Sequence, residues 1–172
     1  MDFLELAKNR YAVRKYEDKK VESEKLMKIL EAGRIAPTGA NKQPQSMIVI
    51  QEAEGLEKLK KYANIFSAPL AIISCGDHHK SWKRSYDKKD VMDMDVSIVT
   101  THMMLQATEL GLGTVWVCFF NPEEIKKEFN LPDGVEPLNI LVIGYSADEK
   151  PADDRHDTMR KPLSEIVHYE KY

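Results

Sequence analysis

The sequence contains only two cysteines, Cys75 and Cys118, and their separation fits no zinc or redox motif. Both lie in apolar runs, which predicts buried thiols and agrees with a reducing cytoplasm. No stretch approaches the ~20 apolar residues of a membrane helix, and the first residues lack the basic and apolar regions of a signal peptide. The net charge of -3 gives no reason to expect nucleic acid as a partner. We therefore expect a cytoplasmic protein that binds neither membrane nor nucleic acid.

Motifs for several kinds of site are also missing. The chain has neither the Gly-x-x-x-x-Gly-Lys-Ser/Thr loop of nucleotide-binding proteins nor a Gly-x-Gly-x-x-Gly segment after a strand. His78 and His79 are adjacent, so in extended backbone their side chains point apart and do not favour a shared metal ion. No set of Ser, His and Asp stands out by its spacing. We predict no metal site and no catalytic triad.

The 172 residues are enough for one domain with a substantial core. We assign this single domain to residues 1–172. Strands alternating with helices are typical of an α/β or α+β domain. Ser23 and Asn121 have the chemistry of helix N-caps. Apolar residues at helical spacing predict helices at residues 2–9, 23–34, 54–64, 90–110 and 122–129. Apolar runs predict strands at residues 46–51, 70–74, 114–120 and 138–145, and an edge strand near 163–169.

The helix predicted at residues 90–110 is the longest and becomes apolar nearly all round in its later turns. Such a helix is buried on most faces, either within one chain or in part by a second subunit, and both alternatives stay open. Asp90, Asp93 and Asp95 stand near its start, where the helix dipole favours negative charge. The long polar connection after residue 145 predicts a C-terminal tail that reaches away from its own core.

Two arginines follow the first predicted helix, in the segment Arg10-Tyr11-Ala12-Val13-Arg14. In extended backbone, side chains an even number of positions apart lie on the same side. Arg10 and Arg14 can therefore clamp a phosphate or another anion. A solvated basic stretch is the alternative explanation of this segment.

Two further segments place polar or flexible backbone beside apolar elements. In residues 36–44, Gly39 allows close backbone approach, and the surrounding side chains suit the edge of a heteroaromatic ring. The donors and acceptors there are Thr38, Asn41 and Gln43. Residues 111–119 lead from a helix into a strand whose backbone can face a planar ligand. Ordinary turns between helix and strand are the alternative for both segments.

Taken in this order, the segments resemble the nitroreductase family of FMN enzymes over nearly the whole chain. Residues 36–44, Ala-Pro-Thr-Gly-Ala-Asn-Lys-Gln-Pro, are similar to that family's Pro-Ser-x-x-Asn-x-Gln-Pro-Trp. Each motif is weak alone, and their order and spacing make the match specific. The other matching segments are Arg10-x-x-x-Arg14, Ala68-Pro69, residues 107–113, Gly144-Tyr145 and residues 160–167.

The resemblance implies an α+β nitroreductase-like sandwich, with a mostly antiparallel central sheet flanked by helices. It also implies an intertwined homodimer with exchanged C-terminal arms and FMN at the interface. Arg10, with Arg160 or Lys161, would hold the phosphate, and Arg14 would lie near flavin N1 and the C2 carbonyl. Backbone at Cys118 and Phe119 would face N5 and O4. The other implied cofactor-binding residues are Tyr11, Ala12, Gln43, Asn64, Trp116 and Val117, and, from the second subunit, Pro37, Thr38, Gly39 and Asn41.

The sequence departs from the family pattern at several places. Ala12 replaces a frequent serine whose hydroxyl contacts the phosphate, which should weaken FMN binding by roughly 0.5–1.5 kcal/mol. Gln45 stands where an aromatic residue often follows Gln-Pro, and Cys118 replaces an acidic residue of the larger members. The polar loop at residues 77–89, with Trp82 and Tyr86, would take the place of a helical excursion over the substrate pocket. Whether that loop acts as a lid is left open.

The function implied is that of an FMN-dependent oxidoreductase. NADH or NADPH would donate a hydride to flavin N5 and leave. A small electron-poor acceptor such as a nitroaromatic or quinone would then bind at the same face of the flavin. The positive charge of Arg14 would stabilise the negative charge of reduced flavin near N1. Alternatives are a flavoenzyme of another task, reductive dehalogenation or flavin cleavage, a non-catalytic flavin-binding or sensor module, and a structural or interaction protein without a ligand.

Overall fold

A four-stranded antiparallel sheet forms the centre of the molecule, which a computed structural model describes over residues 2–172. The strands are β1 (Gln45–Ile50), β2 (Leu70–Asp77), β3 (Gly113–Val117) and β4 (Val135–Gly144). The helices are α1 (Phe3–Asn9), α2 (Ser23–Arg34), α3 (Ala53–Lys60), α4 (Met92–Glu109), α5 (Pro122–Glu128), α6 (Arg155–Thr158) and α7 (Leu163–Ile166). The strand order is β1-β2-β4-β3, and every pair is antiparallel. The predicted antiparallel sheet with flanking helices is confirmed.

The two central strands are buried on both faces, which explains why they are apolar almost without interruption. On one face, Ile73 and Val142 pack with Leu59 of α3 and Ile125 of α5. On the other face, the core side chains come from α2, α4 and the same strands: Ile29, Val99, Met103, Ile72 and Leu141. The sheet is therefore covered by helices on both sides, and its two edges are β1 and β3.

The long helix α4 crosses one face of the sheet and is the centre of that core. Met92, Val96, Val99 and Met103 are buried along it. Met94 and Ile98 on its other side are 50% and 37% exposed. Within one chain the helix is thus incompletely covered. Of the helices in residues 2–172, none combines the length and apolar character needed to cross a bilayer.

The strand predicted near residues 163–169 is wrong, because this segment begins with the short helix α7 and pairs with no strand. Leu163 and Ile166 are spaced by one helical turn, and the preceding Pro162 suits the residue before a helix. Both apolar side chains are exposed, at 74% and 57%. The tail therefore has apolar residues that its own core does not cover.

Of the two predicted helix caps, one is confirmed and one is wrong. The Asn121 side chain accepts a hydrogen bond from the Glu124 amide at 3.3 Å, at the start of α5. Ser23 is instead the first residue of α2, and Glu22, in extended backbone, occupies the cap position without a side-chain bond. The helix begins one residue earlier than a serine cap requires.

Candidate functional site

The segment of residues 10–14 lies along the free edge of β3. Ala12 forms a parallel bridge with Thr114, and the Val13 amide donates to the Thr114 carbonyl at 2.9 Å. Val13 is buried, so alternation turns Arg10 and Arg14 to the other side of this extended segment. The two arginines therefore lie on the same side of the segment, where Arg14 is exposed and Arg10 is half-buried.

Three guanidinium groups meet at the start of this segment. Burial, and then the positive charges of Arg160 and Arg155, lower the pKa of Arg10. Arg155 donates to the Lys8 carbonyl at the end of α1 and to the Ala152 carbonyl, which fixes α6 against the arginine segment. Among residues 2–172, no carboxylate lies within ion-pair distance of these three arginines. The cluster, which we call the arginine cluster, lacks a balancing negative charge.

The backbone after the arginine cluster is held by the chain that follows β4. The Asp148 carboxylate accepts from the amides of Arg14 and Lys15 at 2.5 and 3.1 Å. The hydroxyls of Tyr11 and Ser146 share a hydrogen bond of 3.0 Å. The Arg14 side chain itself is exposed and has no hydrogen-bond or ion-pair partner in the part of the chain that is described. It is available to a ligand.

The end of β3 exposes Cys118 and Phe119, while Val117 is buried. The prediction that Cys118 is buried is wrong, because the strand ends at Val117 and the chain leaves the sheet there. The Trp116 Nε1–H donates to the Cys118 Sγ at 3.1 Å. Phe119 is 94% exposed. An apolar ring thus stands open at the end of the strand.

Asn64 lies next to this strand end, because Ala63 forms an antiparallel bridge with Phe120. Asn64 and Phe119 both line a cavity of about 470 Å³. The Asn64 Oδ1 accepts from the Phe66 amide at 2.9 Å, which orients the side chain. The structure therefore brings Asn64 together with the end of β3, as a common site would require.

The predicted loop of residues 37–43 has a strained and internally bonded backbone. Ala40, Asn41 and Gln43 have positive φ angles of 47°, 54° and 51°, which non-glycine residues rarely adopt. The Thr38 hydroxyl accepts from the Gln43 amide at 3.1 Å, and the Gln43 side chain donates to the Asn41 carbonyl at 3.2 Å. Strain of this kind persists where surrounding contacts enforce it, often at functional sites. Pro37, Asn41 and Gln43 are exposed.

Gly39 packs against the start of α4 and against the connection from the end of β2 to α4, residues 77–91, which we call the 77–91 loop. A Cβ at Gly39 would lie 3.1 Å from Val91 Cγ2 and 3.2 Å from Trp82 Cβ. The Gly39 amide donates to the Asp95 Oδ1 at 2.8 Å. A Cβ at this position would press on both neighbours, and the loop is anchored to α4 through the Gly39 amide.

Within one chain the loop and the arginine cluster do not meet. The loop precedes β1, whereas residues 10–14 lie outside β3, and these strands are the opposite edges of the sheet. Three strand spacings separate β1 from β3, about 14 Å. Arg160 is brought to Arg10, and Lys161 follows it as an exposed residue with no recorded ion pair in residues 2–172.

Sequence reasoning missed three functional candidates. Arg155 lies in a polar tail with no local signal, and only the fold brings it to Arg10. Asp95 reads as an ordinary acidic residue at a helix start, yet it is buried. His78 Nδ1 and Nε2 lie 3.0 Å from Asp90 and 2.8 Å from Glu136, across the base of the 77–91 loop.

Protonation of His78 is favoured by this arrangement, which we call the histidine clasp. Hydrogen bonds to Asp90 and Glu136 raise the pKa of His78. Burial raises the pKa of Asp90, but hydrogen bonds from His78, Ser81 and the Met92 amide outweigh it and lower that pKa to about 2. Only the imidazolium can donate from both ring nitrogens to two carboxylates.

Fold and site together define a class of α+β protein whose sheet edge carries unbalanced positive charge. Comparison with known proteins shows which family the chain belongs to. The model of the family described as "Putative TM nitroreductase" matches residues 2–172. The chain belongs to the nitroreductase family, which confirms the family, fold and oxidoreductase class predicted from the sequence.

Relatives and solved structures agree with this assignment. A nitroreductase family protein of Clostridium difficile 630 is 60% identical, with a TM-score of 0.97 and 100% of both chains covered. An "FMN-dependent Nitroreductase" of C. difficile R20291 is 31% identical, with a TM-score of 0.82, over 99% of this chain and 100% of that one. A "Putative NADH dehydrogenase/NAD(P)H nitroreductase" of Methanothermobacter thermautotrophicus is 33% identical over 100% of this chain and 88% of its own length.

Proposed function

We propose that the protein is an FMN-dependent oxidoreductase that passes a hydride from NADH or NADPH to a small electron-poor acceptor, such as a nitroaromatic or a quinone. The observation that carries this proposal is the arginine cluster together with the unpaired Arg14 side chain at the same sheet edge. An anionic cofactor would balance the positive charge of the arginine cluster and would also bind the Arg14 side chain. The names of the similar proteins, which include NAD(P)H and FMN, support the choice of cofactor and donor.

The phosphate end of FMN fits the arginine cluster. A phosphate carries about two negative charges and accepts bidentate hydrogen bonds from guanidinium groups. Arg10 and Arg160 would hold it, with Lys161 as a further cation. Burial, and then the charges of Arg160 and Arg155, lower the pKa of Arg10, and a bound dianion would relieve the repulsion among these cations. Tyr11 and Ala12 would line the path toward the ring.

The ring end fits the edge between Arg14 and the end of β3. Arg14 would lie near N1 and the C2 carbonyl, and Asn64 near O2. The backbone of residues 116–119 would face N5 and O4. When bound, FMN supplies a two-electron centre that takes up and releases a hydride. The protein's own contribution is a fixed cation at Arg14, which favours negative charge at N1 in a site that partly excludes water.

The second half of the site would come from another subunit, in a homodimer. The loop of residues 37–43 precedes β1, and the arginine segment of the same chain lies outside β3, which is itself about 14 Å from β1 by the strand spacing. Met94 and Ile98 of α4, and Leu163 and Ile166 of the tail, are exposed apolar residues that a partner would cover. We infer an intertwined dimer in which the C-terminal arms are exchanged.

We further propose that residues 1–172 form one domain that acts in the cytoplasm. The family match over residues 2–172 and the packing of both faces on one sheet support the single domain. The free Cys75 and Cys118 thiols agree with a reducing compartment. Gel filtration with light scattering and fractionation of cells measure the dimer and the compartment directly.

The test is the absorbance of the purified protein under anaerobic conditions. We expect an oxidised-flavin spectrum that bleaches on addition of NADH or NADPH and returns on addition of a nitroaromatic or quinone. The chromophore released by heating should be FMN. Bleaching by dithionite alone would remove nicotinamide as the donor and leave the cofactor. A colourless protein that takes up no added FMN would contradict the proposal.

A further inference from the structure

The strongest unexplained group in the molecule is the carboxylate of Asp95. The residue is only 3% exposed, and its Oδ1 accepts from the Gly39 amide at 2.8 Å. Its Oδ2 is buried and has no hydrogen-bond partner within residues 2–172. A buried carboxylate with so few donors is costly. Its presence therefore indicates a role beyond the start of a helix.

Within residues 2–172, the one side-chain hydrogen bond of Asp95 reaches the loop of residues 37–43. Three residues of that loop hold positive φ angles, so its backbone does not keep this shape by local preference. Within residues 2–172, Gly39 is the only loop residue whose amide donates a hydrogen bond to α4. Val91 and Trp82 close around the same glycine. The carboxylate thus fixes a strained loop to a rigid helix.

We propose that Asp95 is the positioning residue of the cofactor site: through the Gly39 amide it holds the 37–43 loop in the shape that reaches the flavin ring. This rests on the proposed function, in which the loop borders the flavin of the partner subunit. Asp95 acts through the loop and not on the flavin itself. A rigid loop adds affinity because its ordering is not required at the moment of binding.

The experiment compares three variants with the wild type in two measurements. Asp95→Ala removes the acceptor, and Asp95→Asn keeps an oxygen for the Gly39 amide. Asp93→Ala is the matched control, since Asp93 is an exposed acid in the same helical turn. The first measurement is hydrogen exchange of the amides of residues 38–43 in the apoprotein. The second is the Kd for FMN from the quenching of flavin fluorescence.

We expect Asp95→Ala to accelerate exchange in the loop at least tenfold and to raise the FMN Kd at least tenfold. Asp95→Asn should restore both within threefold of the wild type, and Asp93→Ala should leave both within twofold. If Asp95 only stabilised the fold, Asp95→Asn would not selectively restore slow exchange in the loop and the wild-type Kd for FMN. Asp95→Ala protein with wild-type loop exchange and wild-type Kd would overturn the proposal.

The two measurements separate this proposal from the proposed function. If the wild type binds no FMN, the proposed function fails, and the loop exchange still decides whether Asp95 anchors Gly39. If Asp95→Ala does not fold, the wild-type protein decides: a Gly39 amide that exchanges as fast as in an unstructured peptide overturns the anchor. A protected Gly39 amide, with exchange unchanged in Asp95→Asn, supports it.

Discussion

Loss of Arg10 should weaken cofactor binding without destabilising the apoprotein. A hydrogen bond to a charged group contributes about 1.5–3 kcal/mol, and about 1.4 kcal/mol corresponds to a tenfold change in Kd. Arg10→Ala should therefore raise the Kd for FMN about 10- to 150-fold. In the apoprotein Arg10 faces the charges of Arg155 and Arg160, so its removal also relieves repulsion. We expect the free energy of unfolding to stay within about 0.5 kcal/mol of the wild type, or to rise.

The assay titrates apoprotein with FMN and, separately, with riboflavin, which has the same ring and no phosphate. Arg10→Ala should lose affinity for FMN and keep its affinity for riboflavin within about twofold, since Arg10 is placed at the phosphate end. Arg10→Lys keeps the positive charge without the planar guanidinium group. Its affinity for FMN should therefore lie between those of the wild type and Arg10→Ala. Arg84→Ala, which removes an exposed arginine that pairs with Asp87, is the control.

Two results would refute the reasoning. Equal losses for FMN and riboflavin would show that Arg10 does not act on the phosphate. An apoprotein destabilised by more than about 1 kcal/mol would show that the packing contacts of the half-buried Arg10 outweigh the repulsion.

Three further predictions follow from the same structure. Arg14→Ala should lower the flavin midpoint potential more than it weakens FMN binding, since a cation near N1 favours the reduced form; redox titration measures this. Maleimide at neutral pH should label the exposed Cys118 and not Cys75, whose thiol is buried with a pKa raised to about 12, as peptide mass spectrometry will show. The histidine clasp should hold the 77–91 loop best between about pH 4 and 6.5. Its His78 contribution is complete below the unfolded pKa and is lost as pH rises through the raised folded pKa, and the Asp90 contribution is lost as pH falls toward about 2.

Each of these has an outcome that contradicts it. An unchanged potential in Arg14→Ala would remove Arg14 from N1. Labelling of Cys75 in the folded protein would contradict its burial. For the clasp, hydrogen exchange of the loop is measured between pH 5 and 9, with His78→Gln as the control. Opening that does not increase with pH in the wild type, or that increases equally in the variant, would contradict the role of His78.

The strands could be predicted because their apolar runs are long and uninterrupted. Their limits could not, because pairing decides them. β2 continues to Asp77 since its last residues pair with the start of β4, past an irregularity at Ser74 and Cys75. Asn139 lies inside β4 and is buried. The burial of its polar side chain is tolerated because the Thr100 hydroxyl contacts its Oδ1 at 3.1 Å. A polar residue in a strand gives no local sign of such a partner.

The candidate site was predictable where a motif carries it and not where only the fold assembles it. Arg10, Arg14 and the 37–43 loop stand out in the sequence as polar groups beside apolar elements. Arg155 and Asp95 do not stand out. Arg155 belongs to the site because the fold places its charge near Arg10, and Asp95 because it accepts a hydrogen bond from the Gly39 amide. The terminal strand was predicted wrongly because strand formation depends on a free neighbouring edge, which residues 163–169 do not specify.

The strand order also has a consequence for mixtures of damaged chains. If each site takes its arginines from one chain and its loop from the other, a chain with Arg10→Ala and a chain with a damaged Gly39 loop are complementary. In a heterodimer of the two, both lesions fall in one site and the other site is whole. Random exchange of subunits should then restore about one site in four from two inactive parents.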